Sequence, residues 1–363
     1  MANPELSAWL RLTLIPGIGG ESQRQLLKTC GGPEAVFNAS PAALRGILGD
    51  GLVARLSGHD CHAAIEAEIE AALAWAGQPG NHILTLADAA YPQALLTAAD
   101  PPVLLYAKGD IALLNRPAFA IVGSRSATKQ GEANAEAFAA ALCGAGFVVV
   151  SGLAAGIDAA AHRGALKASG TTIAVIGTGI DRIYPARNEV LAREIAEHGV
   201  IVSEFAIGTP PLPANFPRRN RLIAGLSRGT LVVEAAKQSG SLITARLAAE
   251  AGREVFAIPG SIHSPQSKGC HALIKQGAKL VESAQDILEE LRWGNVANPA
   301  ALPPTREAET DPVLVALGTD PCDLDTLTER SGFAANDLLA RLLPLELDGR
   351  IASLPGGRYQ RLN

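Results

Sequence analysis

The residues whose types and spacing best suit chemistry lie in two segments that carry arginine. Gly123-Ser124-Arg125 follows the apolar run AFAIV, and FPRRNR occupies 216–221. Arginine offers a fork of N–H donors that matches phosphate oxygens, and an aromatic ring beside it gives a surface on which a base can stack. The pattern predicts noncovalent binding of a single nucleic-acid strand, with no catalytic residue. The residues expected to bind are Gly123, Ser124, Arg125, Phe216, Arg218, Arg219, Asn220 and Arg221.

Further loops rich in glycine and small hydroxyl residues follow other apolar runs. In an open parallel sheet, ligands bind beyond the carboxyl ends of the strands, where glycine lets the backbone approach an anion and a helix start points its N–H groups at it. We therefore expect one phosphate crevice; strand-to-helix packing and a solvated arginine run are the alternatives. The loop residues in this crevice are Ser151, Gly152, Gly156, Gly177, Gly179, Ser239, Gly240 and Ser241.

The elements that must position these loops are apolar runs that alternate with helical stretches over 118–291. The runs are AFAIVG, FVVVSG, TIAVIG, GVIVSE, TLVVEA, EVFAIPG and AKLVES. This alternation predicts an α/β fold, an extended Rossmann-like, doubly wound parallel sheet, in a domain that covers 79–294. The segment 295–312 is rich in proline and polar residues and lacks a hydrophobic period, so it predicts a linker.

Two smaller units flank the predicted sheet. Residues 1–78 predict a helical domain of the helix-hairpin-helix or SAM-like kind, in which PGIG at 16–19 either presents N–H groups to a DNA phosphate or simply joins two helices. Residues 313–363 predict a winged-helix domain. This domain has seven acidic residues and five arginines, which favours a partner-binding or dimer-supporting role over duplex reading.

Composition excludes several classes of protein. The formal net charge of −5 argues against a generally basic coat for nucleic acid, so any contact must be local. Five scattered cysteines without a CxxC pair, and histidines and carboxylates without a ligand pattern, predict no metal. The missing GxGxxG and GxxxxGK[ST] motifs argue against a dehydrogenase and a P-loop ATPase, so we expect no cofactor. Without a signal-like start or a long apolar run, the chain predicts a cytoplasmic protein that does not enter the membrane.

Longer motifs in the sequence resemble those of the DprA family, also called Smf, the DNA-processing proteins of natural transformation. These motifs are PPVLLYAKGD, IVGSR, SGLAAGIDAAAH, IYP, SEF, FPRRNRLIAGLS, SGSLITARLAAEAGREVFAIPG and LIKQGA. The resemblance implies a Rossmann-like core that binds single-stranded DNA, a homodimer, and delivery of the recombinase RecA onto incoming strands. The two arginine segments and the 239–241 loop would form the binding pocket. The sequence departs from the family pattern at Cys270-His271.

Two other functions compete with DNA binding by the core. The core is similar to phosphoribohydrolases, which remove the base from a nucleoside monophosphate with a Gly-Gly-Gly-Thr loop and a following glutamate. Here the corresponding loop is Ser239-Gly240-Ser241, with no acid until Glu250, so that catalytic pattern is missing. Duplex binding through the winged-helix domain is disfavoured by its acidity. We therefore predict a nonenzymatic protein that protects single-stranded DNA and loads RecA onto it.

Overall fold

The protein begins with a helical unit. The computed structural model describes residues 4–168, 171–293, 311–318 and 321–362, so most of the predicted linker (295–310) lies outside the described residues. No helix within these ranges is long and apolar enough to cross a membrane. The helices of the first unit are α1 (Pro4–Leu14), α2 (Gly20–Cys30), α3 (Pro33–Asn38), α4 (Pro41–Arg45), α5 (Asp50–Ser57) and α6 (His59–Ala76).

The central unit alternates strands and helices, as the sequence predicts. Its elements, in chain order, are β1 (Asn81–Thr85), α7 (Gln93–Leu96), β2 (Leu104–Gly109), β3 (Ala118–Val122), α8 (Lys129–Gly144), β4 (Val148–Ser151), α9 (Ile157–Ala168), β5 (Thr172–Val175), α10 (Glu189–His198), β6 (Val200–Ser203), α11 (Asn215–Leu226), β7 (Gly229–Val232), α12 (Ser241–Glu250), β8 (Glu254–Ala257), α13 (Lys268–Lys275), β9 (Lys279–Leu280) and α14 (Ala284–Glu290).

The strands form one nine-stranded sheet with the order β1-β2-β6-β5-β4-β3-β7-β8-β9. The pairings from β6 through β9 are parallel, whereas β2 pairs antiparallel with both β1 and β6. The predicted doubly wound α/β fold is therefore confirmed. The antiparallel edge strand β1 was not predicted, because the apolar runs that alternate with helical stretches begin only at 118.

The strand sequences are continuous apolar runs because both faces of the sheet are covered. One face packs against α8, α9 and α14 around Phe119, Phe147 and Phe256. The other face packs against α11, α12 and α13. Val148 and Val150 on β4 are fully buried, as expected for a strand at the centre of a three-layer domain.

The chain changes direction within the sheet between β3 and β7. After β3 it winds outward through β4, β5 and β6, and it then returns to place β7 on the other side of β3. Loops that leave the carboxyl ends of two such neighbouring strands diverge and leave a crevice, where ligands bind in open α/β sheets. The predicted binding loops after β3 and β7 flank this point.

The two flanking units have different relations to the sheet. The first unit shares a hydrophobic cluster with the central one, in which Trp9 and Leu12 join Val103 and Tyr106. The last unit has its own core and confirms the predicted winged helix. Its elements are α15 (Pro312–Leu317), β10 (Cys322–Asp323), α16 (Leu324–Ser331), α17 (Ala335–Leu347), β11 (Ile351–Leu354) and β12 (Arg358–Arg361).

A buried histidine on α9 predicts acid sensitivity. The Nδ1 of His162 lies 2.7 Å from the Thr172 hydroxyl, and burial, aided by the charge of Arg219, lowers the pKa of His162 to about 3. A histidine of the unfolded chain binds a proton near pH 6.5, so stability is complete above that pH and is lost as the pH falls towards 3. We expect the free energy of unfolding to drop by about 2 kcal/mol from about pH 7 to about pH 5.

Urea titrations across this pH range measure the effect. The variant His162→Asn keeps a polar atom near the Thr172 hydroxyl but cannot be protonated, so its stability should depend less steeply on pH. An equal slope in the parent and the variant would assign the acid sensitivity to other groups.

Candidate nucleic-acid interface

A cleft of about 660 Å³ opens where the chain changes direction, between the carboxyl ends of β3 and β7. Its walls are the loops after these strands and the first turns of α11 and α12. The structure therefore brings the two arginine segments and the 239–241 loop together at one edge of the sheet. The sequence-predicted residues that line the cleft are Gly123, Ser124, Arg125, Phe216, Arg219, Asn220, Ser239, Gly240 and Ser241.

The segment FPRRNR lies in the first turns of α11, which begins at Asn215. Side chains three or four positions apart share a helix face. Phe216, Arg219 and Asn220 accordingly line the cleft together. Arg218 and Arg221, which are also three positions apart, line a different cavity. The period of the helix thus divides the three arginines between two places.

Arg219 is the buried cation of the cleft. Only 4% of the residue is exposed, and its Nε and Nη1 have no hydrogen-bond partner within the described chain. Burial lowers the pKa of Arg219 to about 10, while Asp158 opposes this shift and Arg125 adds to it, so the guanidinium remains charged at neutral pH. Buried donors without partners are unfavourable. Since Arg219 also lines the cleft, its charge can attract an anion there.

The loop after β4 makes room for Arg219. The Oδ2 of Asp158 accepts hydrogen bonds from the N–H groups of Gly152 (3.1 Å) and Ala154 (3.4 Å). A Cβ atom on Gly152 would lie 1.6 Å from Nη1 of Arg219, so a side chain cannot be accommodated there without moving the guanidinium. Burial raises the pKa of Asp158, and the Arg219 charge opposes this shift. Gly152 therefore positions the cation and does not itself line the cleft.

A second cation of the cleft lies beside a pair of aromatic rings. The guanidinium carbon of Arg125 is 5.5 Å from the centre of the Phe216 ring, and the centres of the Phe216 and Tyr184 rings are 5.5 Å apart. Tyr184 is 46% exposed and lines the cleft. Tyr184 belongs to the IYP motif of the sequence but was not predicted to lie in the site. Its position, soon after the glycine-rich loop that follows β5, was the signal that could have indicated it. Rings next to guanidinium groups form a surface on which bases can stack.

The 239–241 loop closes the opposite wall. The hydroxyl oxygens of Ser239 and Ser241 are 2.7 Å apart, and the Asn220 amide donates a hydrogen bond to the Gly240 carbonyl at 3.3 Å. Ser241 is also the first residue of α12. On the β3 side, the Ser124 N–H donates to the Glu234 carbonyl at 2.7 Å. This wall of the cleft thus presents small hydroxyl groups, and its backbone is held by hydrogen bonds from α11 and from the loop after β3.

The remaining loop residues of the predicted crevice support the site from behind. The Ser151 hydroxyl is fully buried and donates to the Ile121 carbonyl at 2.6 Å. Gly156 has a φ of +74° and approaches the backbone of the β3 loop, where a Cβ would lie 2.3 Å from the Ser124 carbonyl oxygen. Gly177 and Gly179 likewise allow close packing, Gly177 against the Phe216 ring. None of the four lines the cleft.

Arg218 and Arg221 have carboxylate partners outside the cleft. Arg218 donates to Glu204 at 3.0 Å, and Arg221 contacts both Glu204 and Asp100, the latter at 3.1 Å. Asp100 in turn pairs with Arg24 of α2 at 2.6 Å. The Glu204 side chain is 2% exposed, whereas the side chains of Arg218 and Asp100 are about half exposed. Through Asp100 and Arg24, Arg221 therefore links the N-terminal helical unit to the central one.

The glycine-rich turn at 16–19 lies in the same interdomain region. It lines a cavity of about 850 Å³ together with Arg24, Glu204 and Arg221. The Pro16 carbonyl accepts a hydrogen bond from Arg55 at 3.2 Å, and the Gln23 amide donates to the Ile18 carbonyl at 2.8 Å. The turn joins α1 to α2 and is held by contacts within its own unit, while its contact with a DNA phosphate stays a prediction.

Cys270 and His271, where the sequence departs from the family pattern, do not line the cleft. Cys270 is fully buried, and its sulfur lies 3.6 Å from the Val232 carbonyl oxygen. Burial raises the pKa of Cys270 to about 12, so the thiol stays protonated. His271 Nε2 lies 3.0 Å from the Gly260 carbonyl oxygen. Over the ranges that the structure covers, no three His, Cys, Asp or Glu side chains are grouped so that they could hold a metal ion.

Known proteins are similar to this chain over most of its length. Residues 82–292 match the family model of DNA recombination-mediator protein A, and residues 297–357 match that of the DprA winged helix domain. Protein Smf of Escherichia coli (strain K12) is 44% identical over 303 residues, which cover 81% of this chain and 81% of that protein.

Solved structures give the same relationship. The DNA processing protein A of Streptococcus pneumoniae is 40% identical, with a TM-score of 0.69 over 78% of this chain and 97% of that chain. The corresponding protein of Helicobacter pylori, whose structure concerns its mode of binding single-stranded DNA, is 33% identical, with a TM-score of 0.53 over 58% of this chain and 96% of that chain. Since the first family model covers more than half of the sequence, the chain belongs to the DNA recombination-mediator protein A family, also named DprA or Smf.

Proposed function

We propose that the cleft binds single-stranded DNA through its phosphate backbone. Arg219 carries the proposal, because it is a buried cation that lines an open cleft, and its Nε and Nη1 have no hydrogen-bond partner among the described residues. Arg125 adds a second guanidinium, and Phe216 and Tyr184 add rings that every base can stack on. The single-stranded DNA binding of the Helicobacter pylori relative supports this assignment.

The phosphoribohydrolase alternative needs a carboxylate that is free to act in the cleft. Asp158 lines the cleft, but its Oδ2 holds two backbone N–H groups. Glu234 accepts hydrogen bonds from the N–H (2.9 Å) and the hydroxyl (2.6 Å) of Thr128 and is not among the lining residues. Both carboxylates are committed to holding loops in place. We therefore propose a binding protein and not an enzyme.

We further propose a role for this binding in the cell. The protein would act in the cytoplasm as a homodimer, protect single-stranded DNA taken up in natural transformation, and load the recombinase RecA onto it for homologous recombination. Membership of a DNA-processing family supports the role, and the motifs of the sequence support the finer assignments.

The winged-helix unit suits contact with a protein. The guanidinium carbon of Arg341 on α17 lies 4.6 Å from the centre of the Phe333 ring, so this cation is engaged by a contact within its own domain. The same helix exposes Leu339, Leu343 and Leu347 at four-residue intervals. A helix that reads duplex DNA presents polar and basic groups to base edges and phosphates. This apolar face supports the partner-binding or dimer-supporting role.

Salt titration of oligonucleotide binding tests the proposed function. We expect log Kobs to fall linearly with log[salt], with a slope of about −0.7 for each phosphate neutralised. Single strands of different base composition should bind similarly, because phosphate contacts and stacking carry little sequence information.

Incubation with AMP tests the enzyme alternative in the same preparation. Sustained release of adenine that is abolished by Glu234→Gln would overturn the assignment as a binding protein. Absence of release, together with a steep salt dependence of binding, supports it.

A further inference from the structure

A row of arginines lies at the amino ends of three central strands, on the side of the sheet opposite to the cleft. Arg116, Arg228 and Arg253 lie just before the amino ends of β3, β7 and β8, which are neighbours in the sheet. All three line a cavity of about 510 Å³. The cleft proposed to bind DNA lies at the carboxyl ends of β3 and β7. The row and the cleft are therefore at opposite ends of the same strands.

The strand register puts the three side chains on one face. Gly229 pairs with Glu254, so Arg228 and Arg253 occupy equivalent positions one residue earlier. Ala120 pairs with Thr230, which brings Arg228 level with Ala118, two residues after Arg116. Side chains two positions apart in an extended chain point the same way, and neighbouring strands are about 4.8 Å apart. The backbone at Arg116 is extended, so this alternation continues through it.

The row lacks the carboxylate partners that other arginines of the described chain have, such as Arg218 and Arg221. None of the three forms an ion pair with any residue in the described ranges, and no described residue that lines the cavity is acidic. Glu254 follows Arg253 directly and lines a second cavity, towards α12 and α13, which Arg253 also lines, but the two side chains do not form an ion pair. The Nε of Arg253 is buried and has no hydrogen-bond partner among the described residues. The row therefore presents three guanidinium groups that no carboxylate neutralises within the described ranges.

Two features let like charges stay close together here. The ends of α11 and α12 lie two and three residues before Arg228 and Arg253, and the C-terminus of a helix favours a nearby cation. The guanidinium carbon of Arg228 is 5.0 Å from the centre of the Trp293 ring. That ring is fixed by a hydrogen bond to the Ala145 carbonyl at 2.9 Å. The cations are thus held in place without being neutralised.

We propose that the arginine row is a second site for the phosphate backbone of single-stranded DNA. Guanidinium groups spaced along a line suit consecutive phosphates, and such contacts are independent of base sequence. This inference rests on the proposed function, since the strand held in the cleft would continue across the sheet to the row. A DNA strand that contacts both the cleft and the arginine row is held more tightly than a short DNA strand that fills the cleft alone.

The test compares short and long strands. The parent and the triple variant Arg116→Gln, Arg228→Gln, Arg253→Gln are titrated with thymidine oligonucleotides of about 6 and about 30 nucleotides, the shorter within the range that one groove accommodates. For the long strand, we expect the variant to bind at least 10-fold more weakly, with a salt slope smaller in magnitude by about 2, which corresponds to three phosphates. Binding of the short strand should not change.

A control variant carries the same change in net charge. Lys167→Gln, Arg193→Gln, Arg246→Gln removes three exposed cations that already have carboxylate partners on helices, and it should bind both strands like the parent. If the row variant binds the long strand like the parent, the row is not a DNA site. Loss of direct binding of an oligoglutamate peptide in that variant would then assign the row to an acidic protein segment. If the parent itself fails to bind the short strand, the proposed cleft is wrong instead.

Discussion

Replacing Arg219 with methionine is expected to weaken single-stranded DNA binding about 100-fold, because about 2 to 3 kcal/mol of charge-assisted hydrogen bonding is lost. Methionine retains much of the length of the side chain beside Gly152 but has neither the charge nor the N–H donors. The salt slope of binding should also become shallower by about 0.7, which is the contribution of one phosphate. Fluorescence anisotropy with a short oligonucleotide measures both quantities.

Arg221→Met is the matched control, two positions along the same helix. Arg221 is paired with Glu204 and Asp100 and does not line the cleft. Its removal leaves Glu204 buried with fewer partners, so we expect a lower melting temperature and an affinity for DNA close to that of the parent. Parent-like binding by a folded Arg219→Met protein would exclude the cleft as the binding site. Weaker binding by Arg221→Met than by Arg219→Met would show that the division of α11 into two faces is wrong.

The sheet could be predicted from the sequence because its central strands are covered on both faces. Runs such as AFAIV and FVVV are then continuously apolar, and helical stretches separate them. The edge strand β1, NHILT, has no such signature. It becomes a strand through its pairing with β2, and that contact is formed between segments about twenty residues apart.

The site could be predicted where its loops follow strands directly. It was harder to predict where it depends on which side chains of a helix share a face. Gly123-Ser124-Arg125 and the 239–241 loop lie in the cleft because β3 and β7 end beside each other. The separation of Arg219 from its two neighbours required knowing that α11 begins at Asn215. A signal was present, since Pro217 lies in the first turn of the helix, where proline is tolerated. Tyr184 reaches the cleft from the loop after β5, which only the fold brings near Phe216.

Adding a methyl group to Gly152 is expected to affect DNA binding nearly as strongly as removing the Arg219 charge. In Gly152→Ala the Cβ would lie 1.6 Å from Nη1 and 2.5 Å from the guanidinium carbon of Arg219. The guanidinium is the end of a flexible side chain, whereas the loop backbone is held by Asp158, so the guanidinium must move. We expect the affinity for single-stranded DNA to fall roughly 10- to 100-fold, and overpacking to lower the free energy of unfolding by about 1 to 3 kcal/mol.

Gly164→Ala separates the loss of binding from the loss of stability. Gly164 lies where α9 packs on α8, and a Cβ there would be 2.3 Å from the Glu136 carbonyl oxygen. Because that neighbour is backbone, the two helices must move apart, and we expect at least as large a loss of stability as in Gly152→Ala. The folded fraction should nevertheless bind DNA like the parent, since neither residue lines the cleft. If both variants lose affinity in proportion to their stability, the effect at Gly152 comes from general destabilisation and not from displacement of Arg219.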